Sequence, residues 1–240
     1  MELLGKDHVA YAAALNNMAQ VLRAAGRPAD ALPLAEDALR AYEKAAGKAH
    51  PSTAAARANL GLLRVALGTA AKGVARLDHA TAAVALLEAA LATRRESGTP
   101  GGKPDVGVGV ALYQLASAAH LNKDSARAEN LAMEAVSVLR AAAGEASPVT
   151  ATALNNLGFL LKARGAFARA LEAYTEALAL RRTALGEKHA DALVTAHNLA
   201  ECRRAAGDEE GALAMQREIL NIMGHEPIDD VVPPAINTLR

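Results

Sequence analysis

Ala153-Leu154-Asn155-Asn156-Leu157-Gly158-Phe159-Leu160-Leu161-Lys162-Ala163-Arg164-Gly165 decides the reading of this chain, because it comes back in register. Asn156 to Asn198 is 42 positions, and so is Asn17 to Asn59. Gly26 to Gly68, Gly165 to Gly207, Gly144 to Gly186, His8 to His50 and Ser147 to His189 keep the same step of 42. Stepping back 42 from Leu157 reaches Leu115, in the degenerate copy Tyr113-Gln114-Leu115-Ala116. So many markers in one register define a repeat, and a period of this size belongs to stacked supersecondary units.

Each period reads as two helices. The first opens near His50-Pro51 or Ser147-Pro148, where Ser caps and Pro suits the first turn. It carries large apolar residues at helical spacing, as in Leu15, Met18 and Leu22 or Leu154, Leu157 and Leu161. It is expected to stop at Gly26, Gly68, Gly165 or Gly207, with Lys123-Asp124 in that place in the degenerate copy. The second helix holds Ala31-Leu32 and Ala38-Leu39, Ala83-Val84 and Ala90-Leu91, Ala170-Leu171 and Ala177-Leu178, and Ala212-Leu213. Composition agrees: 52% of the 240 residues are hydrophobic, only 2% aromatic and none is Trp, so close helix packing through Ala and Leu replaces a ring-filled core. The fold class is all-α, and helix pairs that cannot bury a face alone must stack into an α-solenoid.

The stretch 153–165, with Glu176-Ala177-Leu178 and Leu185-Gly186-Glu187-Lys188-His189, resembles the tetratricopeptide repeat, in its kinesin-light-chain-like variety of period 42. The standard repeat has a period of about 34 residues. The extra residues would add about one turn to each helix, at roughly 3.6 residues per turn. The resemblance implies a right-handed superhelix over 1–224, with repeats at about 8–49, 50–104, 105–146, 147–188 and 189–224. It departs at Leu60 to Leu115, a step of 55, so 13 residues are inserted. About ten fall at Thr69 to Asp78 and the rest in the Gly/Pro-rich Gly98 to Pro104. Most of the family's tyrosines are missing. Leu4-Gly5-Lys6-Asp7-His8 matches Leu185 to His189, the junction between two repeats, so the chain reads as a piece of a longer array. His225 to Arg240, with Pro227, Pro233 and Pro234, breaks the pattern and reads as a tail.

The resemblance implies that first helices line a concave groove. There Asn17, Asn59, Asn156 and Asn198, with Gln114 in the weak copy, hydrogen-bond the main chain of an extended peptide. A primary amide offers donors and an acceptor, which suits main-chain recognition without a fixed sequence. The alternative is that these amides bond the adjacent helix or loop inside the repeat instead. Six positions after each amide come Arg23, Val65, His120, Lys162 and Arg204. Arg23, Lys162 and Arg204 share one phase and favour an acidic ligand, with Glu201 offsetting part of that charge; the alternative is cations at solvated helix ends.

Other chemistry is not expected. With 26 basic against 26 acidic residues there is no excess to neutralise phosphates, so no nucleic acid is expected. Cys202 stands alone, which removes disulfide and multi-Cys zinc sites and reads as a small packing residue. Gly98 to Pro104 has the wrong spacing for a phosphate loop, no Ser/Thr after Lys103 and no preceding strand. His8, His50 and His189 recur with the repeat and read as cap residues rather than metal ligands. His120 and His197 have no nucleophile partner, and Asp208-Glu209-Glu210 opens a helix, where acids are favoured. No catalytic residues, cofactor, membrane span or secretory leader are expected, and the setting is intracellular, most simply cytoplasmic, with an organelle as the alternative because the chain reads as starting inside an array. The reading is an adaptor binding a peptide segment of a partner protein. Its alternative is a scaffold or homodimer acting through the convex face or the 69–78 insertion.

Overall fold

The computed structural model describes residues 8–98 and 104–224, all organised as helices and short connections. Ten helices occur among them: α1 Val9–Ala24, α2 Pro28–Ala46, α3 Pro51–Ala70, α4 Gly73–Ser97, α5 Val106–Leu121, α6 Ser125–Ala143, α7 Pro148–Ala163, α8 Phe167–Leu185, α9 Ala190–Ala205 and α10 Glu209–Ile222. The period is visible in their lengths. Helices α1, α5, α7 and α9 each have 16 residues, and α2, α6 and α8 each have 19.

Local chemistry sets the ends. The Nδ1 atoms of His8, His50 and His189 accept from the backbone N–H groups of Ala10, Ser52 and Asp191, each at 3.1 Å. Imidazole thus fills the role that a hydroxyl or carboxylate usually takes at an N-cap. Ser147, expected to cap, makes no such bond; Pro148 at the first helical position sets that start instead. At the junction after α7, Gly165 takes φ 77°, and in the degenerate copy Lys123 takes φ 64° at the same register. A left-handed conformation costs a side-chain-bearing residue about 1–2 kcal/mol. Lys123→Gly should therefore raise stability by about 0.5–1 kcal/mol after the entropy of the freer unfolded chain is offset, measurable by urea melting; an unchanged or lowered midpoint contradicts this.

The expected stop at Gly68 is not made. Gly68 is buried inside α3, where an added Cβ would lie 2.7 Å from Leu121, and α3 runs on to Ala70. Within 69–78 all but Ala71 and Lys72 are helical: α3 has 20 residues and α4 has 25. Ala-rich sequence around the expected stop carries the backbone hydrogen bonds onward, so Gly68 serves close packing rather than a turn. Residues 1–7, 99–103 and the 225–240 tail lie outside the described residues.

The core is a run of small clusters between successive layers. Leu87, Leu112, Leu115 and Leu139 centre the largest, and Leu161, Tyr174, Leu178, Leu199 and Cys202 form that of the last two repeats. Cys202 is fully buried, and burial pushes its thiol above the usual range, so it is a packing residue. Backbones approach closely between chain neighbours and, beyond those, only among the first helices (α1, α3, α5, α7, α9), while successive second helices reach one another through ion pairs of long side chains such as Arg140–Glu176. The first helices therefore converge on an inner wall, and the second helices (α2, α4, α6, α8, α10) spread on the outside. That asymmetry produces curvature in a stack of pairs.

Candidate functional site

The inner wall is written in rows, one residue from each first helix. The amide row is Asn17, Asn59, Gln114, Asn156 and Asn198, and none of the five is buried. Two of its amides are already engaged between repeats. Asn59 Nδ2 donates to Asn16 Oδ1 at 3.0 Å, and Asn198 Nδ2 donates to Asn155 Oδ1 at 3.1 Å. These pairs occur where the preceding repeat has Asn one position before the row; at Ala58 and Tyr113 it does not. Among the described residues Asn17, Gln114 and Asn156 make no side-chain hydrogen bond, so their donors and acceptors face solvent. An amide has more capacity than one bond uses, so Asn59 and Asn198 keep a second donor and acceptor capacity.

The cation row is uneven. Arg204 is exposed and pairs with Glu201 on its own helix at 2.6 Å, which holds the Glu201 carboxyl below its usual range; His197 and Lys162 add smaller contributions in the same direction. Lys162 is half-buried and Arg23 exposed. The same phase in the middle repeats carries Val65 and His120, so no continuous basic stripe runs along the wall.

Its centre is aromatic instead. The rings of His120 and Phe159 meet edge to face, with centroids 5.4 Å apart and planes at 81°. Phe159 is 48% exposed, and Nδ1 of His120 is buried without a partner among the described residues. Burial first, and the Arg76 charge second, hold the His120 imidazole below its ordinary pKa, so it is neutral at pH 7. Phe159 escaped the sequence reading, although one signal was there. It is one of two Phe in the chain and lies three residues after Asn156, on the same helix face.

The wall is held by α8. Arg181, 5% exposed, donates to the Asp191 carbonyl at 2.9 Å, to Thr195 Oγ1 at 2.5 Å and to Thr152 Oγ1 at 3.2 Å. It thereby ties α7 to α9 and fixes the spacing of Asn156 and Asn198. Arg57 does related work lower in the stack, bonding Glu43 and the Lys48 carbonyl, each at 2.8 Å. The three capping histidines lie apart from this wall chemistry. Among the described residues no three His, Cys, Asp or Glu side chains gather as a metal site requires, and no helix is long and apolar enough to cross a membrane.

Period, helix pairs and converging first helices define a tetratricopeptide-type solenoid. Two tetratricopeptide repeat family models match the chain, one over residues 107–183 and 149–224 and the other over 12–52, and the chain belongs to that family. Its fold is similar to the crystal structure of a Podosopora anserina kinesin-light-chain-like protein with nearly identical TPR-like repeats. That likeness has a TM-score of 0.69 at 20% identity, over 90% of this chain and 97% of that one. BtubC (BKLC) from P. vanneervenii matches with a TM-score of 0.68 at 25% identity, over 88% and 78% of the two chains. The apo form of RapI matches with 0.67 at 12% identity, over 89% and 70%. No curated relative matches in sequence. The fold supports a protein-interaction or scaffold role in general.

Proposed function

We propose that the inner wall holds an extended segment of a partner protein, and that the chain acts as a non-catalytic adaptor in an intracellular, cytoplasmic setting. The observation that carries this reading is the amide row, in which Asn17, Gln114 and Asn156 keep their hydrogen-bonding groups free, with the exposed ring of Phe159 one turn along α7 from Asn156. Amides suit a peptide main chain, and the half-exposed ring supplies an apolar anchor next to Asn156. Acidic side chains on the ligand would be read at Lys162 more than at Arg204, whose charge Glu201 offsets.

Twelve-residue peptides selected on the wild-type chain from a random phage-displayed library provide the test. Asn156→Ala combined with Phe159→Ala should weaken those that bind the wall by about 2 kcal/mol, roughly thirtyfold in Kd. Calorimetric affinities equal to wild type for every selected peptide would sink the reading. A second reading, self-association through the insertion, has its own observation. Val74 and Leu77 at the start of α4 are exposed, Val74 by 74%. Light scattering at rising concentration tests it: a dimer lost on Val74→Lys would support it, and a monomer throughout would end it.

A further inference from the structure

On the outer surface, a cavity of about 610 Å³ opens between α6 and α8. Its floor is Leu154, Leu157 and Leu161 of α7, and Met133 and Ala173 stand at its walls. The repeat register explains why it exists. The residue at the place of Ala173 is Leu86 in α4, Leu131 in α6 and Met215 in α10, and each of those packs onto a core cluster. Only in α8 is this large side chain missing, so one layer of the outer surface lacks the knob that its neighbours have.

A second register change falls on the same spot. Arg127 of α6 pairs with Glu88 of α4. The equivalent Arg169 of α8 meets Met133 where that glutamate would be, and its Nη2 lies 3.6 Å from the sulfur. A carboxylate has been exchanged for a thioether that is 46% exposed at the mouth of the cavity. Methionine is a pliable apolar contact and recurs on surfaces that accept varied ligands. The rim mixes charges: Glu145 and Glu176 share Arg140, at 3.0 and 2.5 Å, Arg169 pairs with Glu129 at 2.7 Å, and exposed Glu172 alone is left with no ion-pair partner among the described residues.

From these observations we infer that the gap between α6 and α8 is a second docking site, separate from the inner wall, that takes a Leu or Met side chain of a partner protein with a Lys or Arg beside it. The apolar side chain replaces the missing knob over Leu154, Leu157 and Leu161, and the basic one meets Glu172. The volume lies within the range of about 300–1,000 Å³ usual for ligand sites. The unpaired carboxylate of Glu172 also argues against the chain's own 225–240 segment as occupant, since that segment carries Glu226, Asp229 and Asp230.

The probe is again a random 12-residue phage-displayed library, panned on the full wild-type chain and on Ala173→Leu, which supplies the knob in cis. The expected result is a set of peptides carrying Leu or Met next to Lys or Arg, enriched on wild type and weakened about tenfold to a hundredfold by Ala173→Leu, the worth of one buried Leu side chain. Glu172→Lys should weaken them about threefold to tenfold, and Asn156→Ala with Phe159→Ala should leave them unchanged. The melting temperature of Ala173→Leu should not fall; if that variant misfolds, Met133→Glu serves instead, with the same expected loss. Peptides insensitive to both variants, acidic peptides, an absence of binders, or binders gained only after deleting 225–240 would each overturn the proposal.

Discussion

Tyr174→Ala should lower the free energy of unfolding by about 3–5 kcal/mol, the usual cost of deleting a buried aromatic ring. The ring is 1% exposed and packs with Leu161, Leu178, Leu199 and Cys202. Burial, with the neighbouring Cys202, pushes its hydroxyl well above the usual phenol range, so it stays protonated at any physiological pH. In a chain with so few aromatics no other ring can move into the void. The loss should be local, because each repeat contacts only its neighbours. In urea the last two repeats should melt first, with hydrogen exchange quickening in α8 to α10 and little changed in α2 to α4. A cost below 1 kcal/mol, or a uniform loss of protection, would contradict this.

Gly158→Ala should be destabilising in the wild-type chain and stabilising in a Tyr174→Leu background. A Cβ at Gly158 would lie 2.9 Å from ring carbons of Tyr174, closer than packed atoms approach. Neither α7 nor the ring can shift freely in a close-packed layer, and overpacking of this kind costs about 1–3 kcal/mol. With the ring gone the methyl group has room, and the helix propensity of Ala over Gly contributes about 1 kcal/mol the other way. Gly61 faces Leu87 in the corresponding place of the second repeat, at 2.7 Å, but the contact is with a flexible aliphatic side chain. Gly61→Ala should cost less. A double-mutant cycle by urea melting checks both statements; additive effects at 158 and 174 would refute the close-contact account.

Much of this architecture is legible in the residues. The step of 42 identifies the helix pairs, and Gly165 and Gly207 end first helices as a turn-forming glycine should. Gly68 misleads because its register is right while its reason differs: it makes room for Leu121, and the residues after it continue the helix. His8, His50 and His189 are readable as caps because they recur at helix starts, although an imidazole acceptor is an uncommon choice. The inner wall is less legible. That Asn59 and Asn198 bond Asn16 and Asn155 depends on how closely first helices converge, which no local pattern encodes. The His120–Phe159 contact joins the degenerate copy to a good one, so no repeated motif marks it. The missing knob at Ala173 stands in plain register with Leu131 and Met215, and the insertion displaces only Leu86, but that this position packs onto the core is shown by the structure alone.

In the function proposed above, the first-helix wall receives a peptide main chain. The most direct measurement is the side-chain amide region of an NMR spectrum, recorded on the Ala173→Leu chain so that the outer gap is filled, while a peptide selected on that same variant is titrated in. The amide signals of Asn17, Gln114 and Asn156 should shift together with the ring signals of Phe159, and those of Asn155 and Asn198 should shift less because they already bond each other. Shifts confined to α2, α4, α6, α8 and α10, with the Gln114 and Asn156 amides unmoved at saturation, would contradict it.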